Sequence, residues 1–125
     1  MRPIVKFIIF SFIGVFVTAH NDSYAESYKI VLLQALDKVT ARVFQVRAPI
    51  GIAVRFGTLE IVSSSCEKRP PEEPPESAAF LNIAEARLGE EKISVFSGWM
   101  FASSPALSAL EHPVYDVWVL DCISD

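Results

Sequence analysis

His112 stands between Glu111 and Pro113, with Asp116 one helical turn's length further on and Ser103 and Ser104 a short way before it. Those are the residue types of a nucleophilic hydrolase: a hydroxyl to attack, an imidazole to take its proton and a carboxylate to orient the ring. The surroundings argue otherwise. Neither serine lies in a G-x-S-x-G turn, the strained elbow that exposes such a nucleophile, whereas a serine-capped loop stopped by Pro113 accounts for the same letters. A small hydrolase or lyase using His112 with Asp116 or Ser104 is therefore the alternative reading.

Three carboxylates, Glu72, Glu73 and Glu76, lie close together. They could divide into acid and base only where burial or a neighbour pushed their pKa values apart. They fall in a proline-rich, solvated stretch, so they are expected to keep it soluble. Outside the N-terminal region His112 is the one histidine, and zinc centres draw on several His or Cys ligands. No metal, cofactor or catalytic residue is expected. Pro71-Glu72-Glu73-Pro74 has the P-x-x-P letters that groove-binding domains read. Trp99 and Phe101 share a strand face, and with Tyr115 or Trp118 they could form an aromatic platform for a glycan or a peptide. These six residues (Pro71, Pro74, Trp99, Phe101, Tyr115 and Trp118) are the candidate interaction surface.

Cys66 and Cys122 are the two cysteines of the chain. Their separation rules out a C-x-x-C redox pair, and in an oxidising compartment a structural bridge is the default. Closing a loop of about 57 residues removes roughly 4 kcal/mol of chain entropy from the unfolded state.

The elements that must position these residues read as strands. Val39 to Val46 is β-branched and aromatic, and Ala48-Pro49-Ile50-Gly51 ends it in a turn. Ile52 to Phe56 and Leu59 to Ser65 flank Gly57-Thr58 as a hairpin. Tyr28 to Leu36 fits both a helical stripe and a buried strand, with strand preferred. Residues 67–77 carry four prolines, which remove four donors and hold φ near −65°, so this stretch is an extended loop. Phe80 to Ala84, Ile93 to Phe101 and Val114 to Cys122 are three more strands, with a turn at Leu88-Gly89-Glu90-Glu91 and a single helical turn near residues 103–111. The last two strands are apolar on both faces, which predicts that they are central and covered twice, or that one face meets a partner. Simple alternation puts Cys122 beside Trp118 and Leu120. The fold expected is mostly β: one small antiparallel sandwich or partly open barrel, stapled by Cys66 and Cys122.

The chain opens with Arg2 and Lys6 around an apolar run, Phe7 to Val17, followed by a polar stretch and Ser23-Tyr24-Ala25. That order is the layout of a secretory signal peptide with a cut after Ala25. The apolar run is shorter than the roughly 20 residues a membrane span needs. Residues 1–25 are thus expected to leave, and residues 26–125 to form one domain with no stable membrane span. Loss of Arg2, Lys6 and Asp22 takes the formal charge from −4 to −5, nine basic residues against fourteen acidic ones. An acidic domain without a basic cluster is a poor holder of phosphate backbones, so no nucleic-acid partner is expected.

Several stretches resemble a known family. They are Arg69-Pro70-Pro71-Glu72-Glu73, Glu76-Ser77-Ala78-Ala79-Phe80, Phe96 to Pro105 (Phe-Ser-Gly-Trp-Met-Phe-Ala-Ser-Ser-Pro) and Leu107 to Cys122, with Leu36-Asp37-Lys38 and Val54-Arg55-Phe56-Gly57 as earlier landmarks. Together they span residues 36–122 and resemble an alphaproteobacterial group of exported proteins catalogued only as a domain of unknown function. The resemblance implies a Gram-negative periplasm and brings no activity, substrate or catalytic residue. The expectation is a non-enzymatic envelope module that contacts an envelope protein.

Overall fold

The computed structural model describes residues 13–16, 26–107 and 109–124. The leader reading and the cut after Ala25 lie almost wholly outside them. Eight strands follow one another: β1 (Glu26–Ser27), β2 (Ile30–Asp37), β3 (Arg42–Pro49), β4 (Val54–Phe56), β5 (Leu59–Lys68), β6 (Ser77–Glu85), β7 (Ile93–Phe101) and β8 (Tyr115–Ile123). The helical turn expected near 103–111 is a three-residue 3-10 turn, Pro105–Leu107.

All pairing is antiparallel. The larger sheet runs β5-β6-β7, with β1 and β4 sharing the other edge of β5; the smaller runs β3-β2-β8. The two stack as an open sandwich. Alternate residues of each strand point between them, as a period of two requires: Val31, Leu33 and Ala35 from β2 meet Leu59, Ile61, Leu81 and Ile83 from β5 and β6, all buried. Each of the valine, leucine and isoleucine side chains contributes about 1.5–3 kcal/mol by leaving water.

The shared edge of β5 is closed along its length. β4 covers Leu59 to Ile61 and β1 covers Glu67 and Lys68. Between them the N–H of Gly51 donates to the Ser63 carbonyl at 2.8 Å, and that of Tyr28 to the Cys66 carbonyl at 2.9 Å. The β4–β5 connection is a two-residue turn with Gly57 at φ 59°, the geometry of a type II′ hairpin with glycine first. The Tyr115 ring lies where a Cβ at Gly57 would stand, so glycine serves both the turn and the approach.

Several expected boundaries move. β3 begins at Arg42, because the Asp37 side chain accepts hydrogen bonds from the N–H groups of Val39 and Thr40 and Ala41 turns to φ 58°. β4 is three residues long. β5 extends to Lys68 and β6 begins at Ser77, so the proline-rich loop contracts to residues 69–76.

The last two strands are not central. β7 ends the larger sheet and β8 ends the smaller one, so among the described residues their second apolar faces look outward without a third layer. Nor does Cys122 share the face of Trp118. Leu32 pairs with Asp121 but Leu33 with Val119, leaving Leu120 as an extra residue. This bulge resets the alternation, and Cys122 turns inward with Val117 and Val119, all three buried.

Candidate functional site

Cys66 on β5 and Cys122 on β8 form a disulfide with Cα atoms 5.8 Å apart, joining the two sheets through the core. A polar cluster stands beside it. The Asp121 carboxylate accepts from Ser77 Oγ at 3.2 Å and from the Cys122 N–H at 2.8 Å, and pairs with Lys68 Nζ at 3.0 Å. The bond to Asp121 raises the Lys68 pKa above its usual value despite some desolvation. Nearby, Glu76 accepts from the N–H groups of Ser77 and Ser103 and from the Ser103 hydroxyl. Burial opposes its charge, yet those bonds outweigh it and hold the carboxyl below its ordinary range.

At the other end of the sandwich His112 meets Glu85, not Asp116 or Ser104. Nε2 lies 2.7 Å from Glu85 Oε2, while Nδ1 accepts from the N–H groups of Val114 at 3.0 Å and Tyr115 at 3.1 Å. Two backbone donors on Nδ1 place the ring proton on Nε2, directed at the carboxylate. Glu85 also accepts from Thr58 Oγ1 and from Arg87 Nε at 3.0 Å. The Thr58 bond chiefly, joined by His112 and Arg87, holds the Glu85 carboxyl below its ordinary range against desolvation. Both imidazole nitrogens are thus occupied, and no lone pair is left to accept a proton from a serine. The arrangement ties the entry of β8 to the end of β6 and to the β4–β5 turn; the His112 carbonyl adds a bond from Lys38 Nζ at 2.8 Å.

The four candidate aromatics do not form one platform. Trp99, 38% exposed, lies on the outer face of the larger sheet with Phe101. Its cross-strand partner is Phe80, ring centroids 5.6 Å apart at 81°. Tyr115 points the other way, stacked on His112 at 5.2 Å and edge-on to Phe56 at 5.3 Å. Trp118 faces outward from the smaller sheet, paired across β2 with Gln34. Pro71 lines a hollow of about 260 Å³ with Tyr28, Lys68 and Arg69, and Pro74 is exposed outside that lining. Among the described residues no three His, Cys, Asp or Glu side chains converge as a metal set, and no helix is long and apolar enough to cross a membrane.

The open side of β7 is also a row of backbone groups. The Ala102 N–H donates to the Ser77 carbonyl at 2.8 Å, so alternation turns the N–H and C=O of Ser97 and Trp99 away from β6. The same phase makes Phe80–Trp99 and Asn82–Ser97 non-hydrogen-bonded pairs, whose side chains lie closer. Ser97 Oγ bonds Asn82 Oδ1 at 2.7 Å accordingly. Sequence reasoning missed Phe80, Glu85 and Thr58, since no local spacing announces a register or a contact between distant strands.

Comparison with known proteins gives a family and no activity. The uncharacterized protein RP359 of Rickettsia prowazekii (strain Madrid E) is 32% identical over 88 residues, which are 70% of this chain and 57% of that protein; the chain thus spans little more than half of its relative's length. No solved structure matches. Residues 31–122 match the family described as an uncharacterized protein conserved in bacteria, DUF2155, and with most of its sandwich inside that match the chain belongs to it.

Proposed function

We propose that the chain is exported through a leader cut after Ala25 and acts in the periplasm as a non-enzymatic module that meets an envelope protein. The observation that carries this reading is the outer strip of β7. Trp99 is exposed with Phe80 against it, on an edge strand whose Ser97 and Trp99 backbone groups point away from β6 and meet no partner among the described residues. A long apolar edge is an aggregation liability unless something covers it, and strand addition beside an aromatic anchor is a common mode of recognition. The buried Cys66–Cys122 bridge supports an oxidising compartment. The occupied nitrogens of His112 favour binding over hydrolysis.

Two measurements test it. Mass spectrometry of the protein from its native host, without reductant, should show a chain beginning at Glu26 and lacking two hydrogens. A photocrosslinker at Trp99 should capture an envelope protein in intact cells, while one at Leu88, on the exposed turn before β7, should not. A chain that keeps its leader with both thiols free, or an unassociated monomer with no Trp99 adduct, would overturn the reading.

A further inference from the structure

The second edge strand carries a different site. A cleft of about 300 Å³ lies between the segment after β7 and the open edge of β8, lined by Pro105, Ala106, Ala109, Asp116, Val117 and Trp118. Val117 is only 1% exposed and its side chain packs in the core, so its main chain is what faces the cleft.

Two hydrogen bonds fix the phase there. The Lys38 N–H donates to the Val114 carbonyl at 2.8 Å, and the Ile50 N–H to the Lys29 carbonyl at 2.9 Å. Odd-numbered residues of β2 therefore bond β3 and even-numbered ones bond β8. On β8 it follows that Asp116 and Trp118 bond β2, while Tyr115 and Val117 turn outward. The Tyr115 N–H is taken by His112, which among the described residues leaves the N–H and C=O of Val117 as an open donor and acceptor.

The side chains on either side of Val117 supply the chemistry. Asp116 and Trp118 are two apart on one strand and share the outer face of the smaller sheet. Among the described residues the Asp116 carboxylate has no cation or donor beside it, in a chain of net charge −4. A carboxylate next to an indole is complementary to one kind of group, a cation that pairs with the acid and lies over the ring. The cleft is at the small end for ligand pockets, and its walls of proline and alanine suit a single long side chain.

We infer that this cleft receives an extended peptide segment of a partner protein that bonds the Val117 backbone and lays a lysine or arginine between Asp116 and Trp118. The segment becomes a fourth strand of the smaller sheet. This surface is separate from the β7 strip, and either can fail without the other.

The test uses the purified disulfide-bonded protein and two probes, the peptide Thr-Val-Thr-Lys-Thr-Val-Thr and its glutamate-centred counterpart. In 15N-edited NMR the lysine peptide should shift the Val117 amide and the Trp118 indole and slow hydrogen exchange at Val117; the glutamate peptide should do neither. Asp116→Asn should weaken binding of the lysine peptide about tenfold and flatten its salt dependence, and Leu88→Ser, at a site 96% exposed, should leave it unchanged. An unmoved Val117 amide, equal binding of both peptides, or a Val117 amide already protected by a second copy of the chain would each overturn the assignment.

Discussion

Replacing both cysteines by alanine removes the link between the sheets and tests what holds them together. Cys66 and Cys122 are 56 residues apart, and releasing a loop of that length returns about 4 kcal/mol of entropy to the unfolded chain. Both residues are buried in the core, so the loss of two sulfur atoms acts in the same direction. A domain of this size has about 5–15 kcal/mol in total, and the double variant should be folded but marginal. With a urea dependence near 1.5 kcal/mol per molar, within the usual range, the unfolding midpoint should fall by about 2–3 M. Tryptophan fluorescence in a urea titration reads the midpoint, and wild-type protein under strong reductant should shift similarly. The slope should also rise, because the unlinked chain exposes more surface when unfolded. A fall of less than about 0.7 M would refute the reasoning and show that the sheets hold by packing alone.

Gly57→Ala should cost about 2–4 kcal/mol, since it combines a positive φ with overlap on a Tyr115 ring held between Phe56 and His112. Gly89→Ala, at φ 75° in open space, should cost only about 1 kcal/mol, and equal thermal shifts for the two would count against the Tyr115 contact. Ser63 is fully buried in β5 with no partner for its hydroxyl among the described residues, so Ser63→Ala should raise the melting temperature by the equivalent of about 1 kcal/mol; a lower one would contradict that. Glu85 has a folded pKa below its ordinary value near 4.5, so its contribution is complete above that value and is lost as acid passes through the depressed one. The stability gap between wild type and Glu85→Gln should therefore be wide at pH 7 and shrink progressively as the pH falls below 4.5, and a gap that widens in acid would reverse the sign of the argument.

Much of the fold was legible. The β-branched run from Val39 to Val46, the Gly57-Thr58 hairpin and the proline loop each carry their own local cause, and the structure moves their ends by a few residues. What was not legible depended on register. A period-of-two reading assigns Cys122 to the face of Trp118, and one unpaired residue, Leu120, reverses that assignment. The doubly apolar β7 and β8 read as central because apolarity reports what a strand presents and not what lies beside it. The same limit hid the partner of His112: Glu85 lies 27 residues earlier, at the end of a strand in the other sheet. The candidate interaction residues were chosen by type, and their division among separate faces follows from topology alone.

The closed flank of β5 gives the larger sheet a single valence. Everything that would let it extend is gathered on β7, since the far side ends in pieces two and three residues long, sealed between by Gly51 and Tyr28. A newcomer that joins there leaves no second docking line behind it on the larger sheet. Recruitment through that sheet therefore stops at one neighbour, and a strand that would otherwise seed a fibre becomes a terminus.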